Sequence, residues 1–109
     1  MTIIYKVLGQ ASPAASTNTD LYTVPSIVSA VISTLVICNR GAASSSFRVA
    51  VRPAGAAIAV QHYLMYDTVI SSNDSLTLTI GMTLATTDIV TVLSTSGTIS
   101  FSLFGSEIA

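Results

Sequence analysis

The sequence predicts an all-β protein: an antiparallel β-sandwich, jelly-roll or immunoglobulin-like, with seven to eight strands and little or no helix. Apolar and polar residues alternate with a period of two, as in residues 47–52 (FRVAVR) and 76–80 (LTLTI). This alternation is typical of strands with one buried face. Polar turns separate the runs roughly every ten residues, a spacing that favours a sandwich over other all-β folds.

The chain divides into eight predicted strands with turn residues between them. We expect these strands at residues 3–8, 20–24, 29–38, 46–52, 62–70, 75–81, 89–95 and 98–104. Proline, glycine, asparagine and aspartate stand in the gaps, because these residues suit turn conformations. The predicted loop after the third strand begins at Asn39.

The N-terminal segment leaves two alternatives open. Residues 10–19 (QASPAASTNT) are small and polar, which predicts a linker or an arm lying on another surface. Residues 1–8 are then either a detached strand that pairs with a neighbouring subunit or an ordinary first strand of the sandwich. The predicted organisation is an N-terminal strand or arm with its linker at 1–19, followed by a single β-sandwich domain at 20–109.

The composition argues against several classes of protein. Half of the residues are hydrophobic and 8% are charged, whereas disorder requires few hydrophobic residues and many charges. The formal net charge is −1, with four Lys and Arg residues in all, so the chain could neutralise few phosphates of a nucleic acid. The longest apolar run, residues 27–38, is shorter than the roughly 20 residues of a membrane-spanning helix. No signal peptide is predicted, because no charged segment precedes an apolar one.

No catalytic, metal or cofactor site is predicted. His62 is the only histidine and Cys38 the only cysteine, so one chain cannot assemble a zinc site of the Cys/His kind. Strict alternation places Cys38 on the same face as Ala30 and Ile32, which predicts a small thiol packed in the core. The turn aspartates are expected to bond their own backbone, with a calcium site as the weaker alternative. They are Asp20, Asp67, Asp74 and Asp88.

Four residues are predicted to contact a partner. Arg48 and Arg52 share the outward face of one strand, and arginine suits desolvated contacts at interfaces. The alternative is that the two arginines keep that face soluble and protect a sheet edge. Tyr5 and Lys6, in the predicted N-terminal strand or arm, complete the set.

An ordered set of short motifs runs from Leu21 to the C-terminus. It comprises LYTVP at 21–25, CN at 38–39, ND at 73–74 before a strand, TDIVTV at 87–92 and GSEI at 105–108. This set resembles small virion structural proteins of tailed bacteriophages. The resemblance implies a β-sandwich without catalysis that binds other virion proteins, either the major capsid protein or tail components. It also suggests a homo-oligomer, with a trimer as the common state.

We therefore expect a non-enzymatic virion protein without cofactors, made in the host cytoplasm. The leading hypothesis is a capsid decoration (cement) protein that stabilises the shell through contacts between subunits. The alternative within that class is a tail fibre, tail-tip or baseplate component. An alternative from another class is a carbohydrate-binding module, which the absence of Trp and the small number of aromatic residues disfavour. Neither nucleic acid nor a membrane is expected as a partner.

Overall fold

The computed structural model describes residues 1–109 and confirms the predicted all-β fold. Two single turns of 3-10 helix, Pro53–Gly55 and Val60–His62, are the only helical segments. The strands are β1 (Ile3–Ala11), β2 (Thr19–Thr23), β3 (Ser29–Asn39), β4 (Ser45–Arg52), β5 (Tyr63–Ile70), β6 (Ser75–Leu78), β7 (Met82–Leu84), β8 (Ile89–Ser94) and β9 (Ile99–Ile108).

The nine strands form two antiparallel sheets packed face to face. Sheet A has the order β1-β9-β3-β6, with β7 also paired to β3, and sheet B has the order β2-β8-β4-β5. The pairing is nested: the first strand pairs with the last, the second with the second last, and β4 with β5. This nesting is the strand order of a jelly roll, so the structure decides between the two predicted kinds of sandwich.

Alternation along the strands builds the core between the sheets. Phe47 of sheet B and Phe101 of sheet A meet edge to face, with their ring centroids 6.1 Å apart. Both rings are fully buried, as are the inward residues of β3, β8 and β9 around them. Each such side chain contributes about 1.5–3 kcal/mol by leaving water, so this layer holds the two sheets together.

A bulge in β3 changes the face on which its second half presents side chains. Ile32 pairs with Gly105 and Thr34 with Phe104, so Ser33 is the extra residue. Because one extra residue reverses the alternation, Cys38 faces outward and is half-buried. The prediction that Cys38 shares a face with Ala30 was therefore wrong.

Two glycines permit close approaches between backbones. A Cβ atom on Gly105 would lie 2.1 Å from the carbonyl oxygen of Val31, beside the β3 bulge. A Cβ atom on Gly9 would lie 2.1 Å from the carbonyl oxygen of Leu21 in β2. Only glycine fits such contacts. The end of β1 therefore lies directly against β2, which closes one side of the sandwich.

Several segment boundaries differ from the prediction, among them the end of β9, which was predicted at residue 104 and lies at Ile108. The strand predicted at 75–81 ends at Leu78, and a further short strand, β7, follows after Gly81, which raises the count to nine. Strand β1 extends to Ala11 and pairs with β9 along its length, so it is an ordinary first strand. The connection after it lies on the sandwich itself, where Pro13 is buried and the Ser16 N–H donates to the Ser94 carbonyl at 2.7 Å.

At one end of the sandwich, a buried amide joins three loops. Asn39 is fully buried, and its Oδ1 accepts hydrogen bonds from the Gly41 N–H and the Thr98 hydroxyl, both at 2.9 Å. Its Nδ2 group lies within hydrogen-bond distance of three carbonyl oxygens, those of Ala43, Ile70 and Ser71. Asn39, predicted to begin a loop, is thus the last residue of β3 and fixes the loops after β3, β5 and β8.

At the other end, a carboxylate joins the loops. Asp88 Oδ1 accepts from the Ala54 N–H at 2.9 Å, and Oδ2 accepts from the Ala85 N–H at 2.8 Å. Three non-glycine residues here have positive φ, namely Ile27, Ala54 and Thr87. Such a conformation is costly for a β-branched residue, and at Thr87 the N–H donates to the Val24 carbonyl at 3.1 Å, which helps to maintain it.

Candidate interaction surfaces

Exposed hydrophobic side chains gather at two opposite edges of the sandwich. The first group, which we call the β1 surface, consists of Ile3, Tyr5, Val7 and Val31, with the half-buried Phe104 beside them. The second, the β5 surface, consists of Val60, Leu64, Tyr66 and Val69. The two lie on opposite sides because β1 packs against β2, whereas β5 is joined to β6 by the short turn 71–74.

The β1 surface is the outer face of sheet A at its first edge. Ile3, Tyr5 and Val7 alternate along β1 and point away from the core, with 44%, 82% and 48% of their surface exposed. Tyr5 and Val7 border an open groove of about 610 Å³ that Val31 and Phe104 also line. Exposed apolar side chains that adjoin one another in this way mark interaction sites more often than single ones do.

Lys6 lies between these residues but points to the other face of β1. Its Nζ is 3.1 Å from Oε1 of Glu107, and the Tyr22 hydroxyl donates to Oε2 of the same carboxylate at 2.5 Å. The Tyr22 hydrogen bond, with a further one from Lys6, holds the pKa of Glu107 below its usual range, and burial raises the pKa of Tyr22. Lys6 therefore ties β1 and β9 to β2 within the chain.

The β5 surface is built around Arg48 and two tyrosines. Bulges in β5 bring Tyr63 and Tyr66 together, with ring centroids 4.9 Å apart. The Arg48 guanidinium lies 4.0 Å from the Tyr66 ring centroid, and its Nε donates to Asp67 Oδ1 at 2.7 Å. This hydrogen bond lowers the pKa of Asp67 and raises that of Arg48. The arrangement holds an exposed aromatic ring in one orientation.

Arg52 shares the outer face of sheet B with Arg48 but has separate partners. Its Nε donates to the Thr91 hydroxyl and its terminal nitrogen to Asp20 Oδ1, both at 3.0 Å. A further hydrogen bond reaches the Ala56 carbonyl at 3.3 Å. Arg52 thus joins β4 to β2 across β8.

The structure does not bring the four predicted contact residues into one site. Tyr5 and Lys6 lie on β1 in sheet A, whereas the two arginines lie on sheet B. Of the four, Tyr5 alone presents its side chain to solvent without a hydrogen-bond partner in the chain, since Lys6, Arg48 and Arg52 are all in ion pairs.

The remaining polar candidates have local roles. His62 Nδ1 accepts a hydrogen bond from the Ala59 N–H at 3.1 Å. No three His, Cys, Asp or Glu residues lie close enough together to hold a metal ion. None of the helical segments has the length and apolar character needed to cross a membrane.

Sequence reasoning singled out Arg48 but missed the apolar residues of the β5 surface and Ile27. Bulges in β5 interrupt the alternation, so no periodic signal identifies Leu64 and Val69 as exposed. Ile27 does carry a signal, because an isoleucine directly after Pro25-Ser26 stands in a turn, and it is 89% exposed.

Comparisons with known proteins add no assignment to these surfaces. No protein-family model matches the chain, and no curated protein matches it. The functional interpretation therefore rests on the geometry of the β1 and β5 surfaces and on the motifs in the sequence.

Proposed function

We propose that the protein is a non-enzymatic structural protein of a tailed-phage virion and acts as a capsid decoration (cement) protein. The observation that carries this proposal is the pair of exposed apolar surfaces at opposite edges of one sandwich. A protein that bridges neighbours needs two separate contact surfaces, which the β1 and β5 surfaces supply. The ordered motifs from LYTVP to GSEI, which resemble those of small virion proteins of tailed phages, support a place in the virion.

The fold is compatible with this function, but proteins with other functions share it. Jelly rolls occur in viral capsid proteins and also in lectins and cupins, so the fold alone does not identify an activity. The surfaces favour a bridging protein over a carbohydrate-binding module. A bridging protein needs two apolar contact areas, whereas a sugar site is a concave pocket with convergent polar groups.

The β5 surface is the proposed contact with the shell. Its aromatic residue Tyr66 packs against the Arg48 guanidinium, and Asp67 holds that guanidinium in place by a hydrogen bond. A side chain that is already ordered loses little conformational entropy on binding, so more of the contact energy appears as affinity. Contacts that exist only in the assembled shell then stabilise that shell relative to its free subunits.

Quantitative proteomics of virions of the encoding phage tests the proposal. We expect a copy number in the same range as that of the major capsid protein. Far fewer copies would instead support a tail component, and absence from virions would overturn the proposal.

Binding of the purified protein to undecorated shells tests the assigned surface. The Tyr66→Ala variant should bind with at least roughly tenfold lower affinity, the size of effect expected for a central aromatic contact. Thr77→Ala, which truncates an exposed side chain on β6, should bind like the wild type. Equal binding of all three proteins would exclude the β5 surface, and binding to glycans rather than shells would favour the carbohydrate-binding alternative.

A further inference from the structure

Strand β1 contains the longest regular free edge in the molecule. Five consecutive residue pairs join it to β9, from Ile3–Ile108 to Val7–Phe104, before its bulge. The other edges are interrupted: β2 and β5 contain bulges, and the far edge of sheet A is divided between β6 and β7. Interruptions of this kind protect sheet edges from pairing with other chains, and residues 3–7 lack them.

The hydrogen-bond pattern shows which backbone groups this edge offers. Thr2 and Ala109 exchange two hydrogen bonds, both 2.9 Å long. In an antiparallel ladder, the backbone N–H and C=O groups of successive residues point alternately toward and away from the neighbouring strand. The N–H and C=O groups of Ile3, Tyr5 and Val7 therefore point away from β9, toward the open side.

The side chains of the same three residues form the edge of the β1 surface. Tyr5, at the centre, is 82% exposed, and Ile3 and Val7 flank it symmetrically along the strand. Backbone groups and apolar side chains are thus presented together, which is the combination that strand addition to a sheet edge uses.

We propose that β1 is a self-association edge that pairs antiparallel with β1 of a second copy, about a two-fold axis at Tyr5. Tyr5 of one copy lies opposite Tyr5 of the other, and Ile3 lies opposite Val7. The outward groups of the three residues supply six hydrogen bonds between the copies. The two A sheets then become one continuous sheet with their apolar outer faces side by side.

The charges on β1 are compatible with this register. Lys6 lies opposite Ile4 of the other copy, so the two lysines do not face each other. Each Lys6 is also neutralised by Glu107 of its own chain, at 3.1 Å. Apolar and aromatic residues therefore occupy every opposed position except Lys6, and aromatic pairs across strands are favourable.

The inference goes beyond the proposed function, because an edge can pair with its own copy in a virion or in any other setting. It also differs from the trimer that the sequence resemblance suggests. A two-fold contact uses the same surface of both copies, whereas a three-fold ring joins two different surfaces.

Disulfide trapping tests the register directly. In a Cys38→Ser background, Tyr5→Cys should form a covalent dimer on mild oxidation, because opposed residues of such a pair have Cα atoms about 5.5 Å apart, within disulfide range. Val7→Cys is the matched control. In this register the two copies of residue 7 are about 14 Å apart, so the Val7→Cys variant should form no covalent dimer on oxidation.

Native mass spectrometry of the unmodified protein completes the test. We expect dimers over a concentration series, and Tyr5→Lys should weaken them at least roughly tenfold, because like charges then oppose each other. Val69→Lys, which adds the same charge to the β5 surface, should leave them intact. Monomers alone, or equal trapping of both cysteine variants, would overturn the proposal. Neither result bears on the copy number in virions. The self-association of β1 can therefore be refuted without refuting the proposed virion function, and the reverse is also true.

Discussion

The two ends of the sandwich connect the same pair of sheets with different chemistry. At the end where β3 finishes, the neutral amide of Asn39 bonds only to neutral groups. At the end where β3 begins, two carboxylates take the equivalent positions: Glu107 between the strands and Asp88 between the loops. Neutral hydrogen bonds do not change with pH, whereas those of a carboxylate do. The hydrogen bonds of Glu107 should therefore weaken in acid, whereas those of Asn39 should not.

The largest effect is expected from Asn39→Ala. The substitution removes the amide from a fully buried site and leaves the groups it bonds, including the Gly41 N–H, without partners. Unpaired buried polar groups are costly, so we expect a loss of about 3 kcal/mol in the free energy of unfolding. Urea denaturation measures it.

Thr98→Val provides the graded control at the same end. It deletes one of the Asn39 hydrogen bonds, together with the contact between the Thr98 and Ser96 hydroxyls, and keeps the side-chain volume. A loss of about 1 kcal/mol is expected. Equal losses for both variants would show that Asn39 does not act as a connecting group.

An intermediate effect, and a pH dependence, are expected at the other end from Glu107→Gln. The folded state lowers the pKa of Glu107, so its stabilisation is complete above the unfolded pKa of about 4.3 and is lost as the pH falls through the folded value. The variant should lose about 1 kcal/mol at neutral pH and show a shallower decline in acid.

Unfolding free energies measured from pH 7 downward check this prediction. Thr98→Val serves as control again, because a change in the neutral cluster should shift the stability curve without altering its slope. Parallel curves for wild type and Glu107→Gln would contradict the assigned role of the carboxylate.

The smallest effect is expected from Asp20→Asn. Asp20 pairs with Arg52 at 3.0 Å but is itself 52% exposed, and exposed ion pairs contribute little. Thermal unfolding should show a loss of about 0.5 kcal/mol that diminishes with added salt. A loss as large as that of Asn39→Ala would show that the Arg52 contacts behave as a buried network.

Much of the fold could be predicted because alternation and turn residues are local signals. Runs such as residues 47–52 specify both a strand and its buried face. Eight of the nine strands overlap predicted ones, although β1 and β9 are longer and β6 is shorter than predicted. Bulges were the main source of error, since one extra residue reverses every later side chain. The outward position of Cys38 is the clearest case.

The candidate surfaces were less predictable because they depend on pairing between distant segments. Arg48 and Arg52 share a face as predicted, yet their partners, Asp67 and Asp20, come from other strands. Tyr5 was predicted to be a contact residue, but the free edge on which it lies depends on β1 being the outer neighbour of β9. The arrangement of Leu64 and Tyr66 required the bulges of β5.

The interrupted edges determine how far self-association can proceed. If β1 pairs with its copy, the single long regular edge of each molecule is used up, and the product exposes only the bulged β2 and β5 and the divided β6 and β7. Growth by strand addition then stops at two molecules. A chain with so few charges could consequently reach high concentrations without polymerising into fibrils.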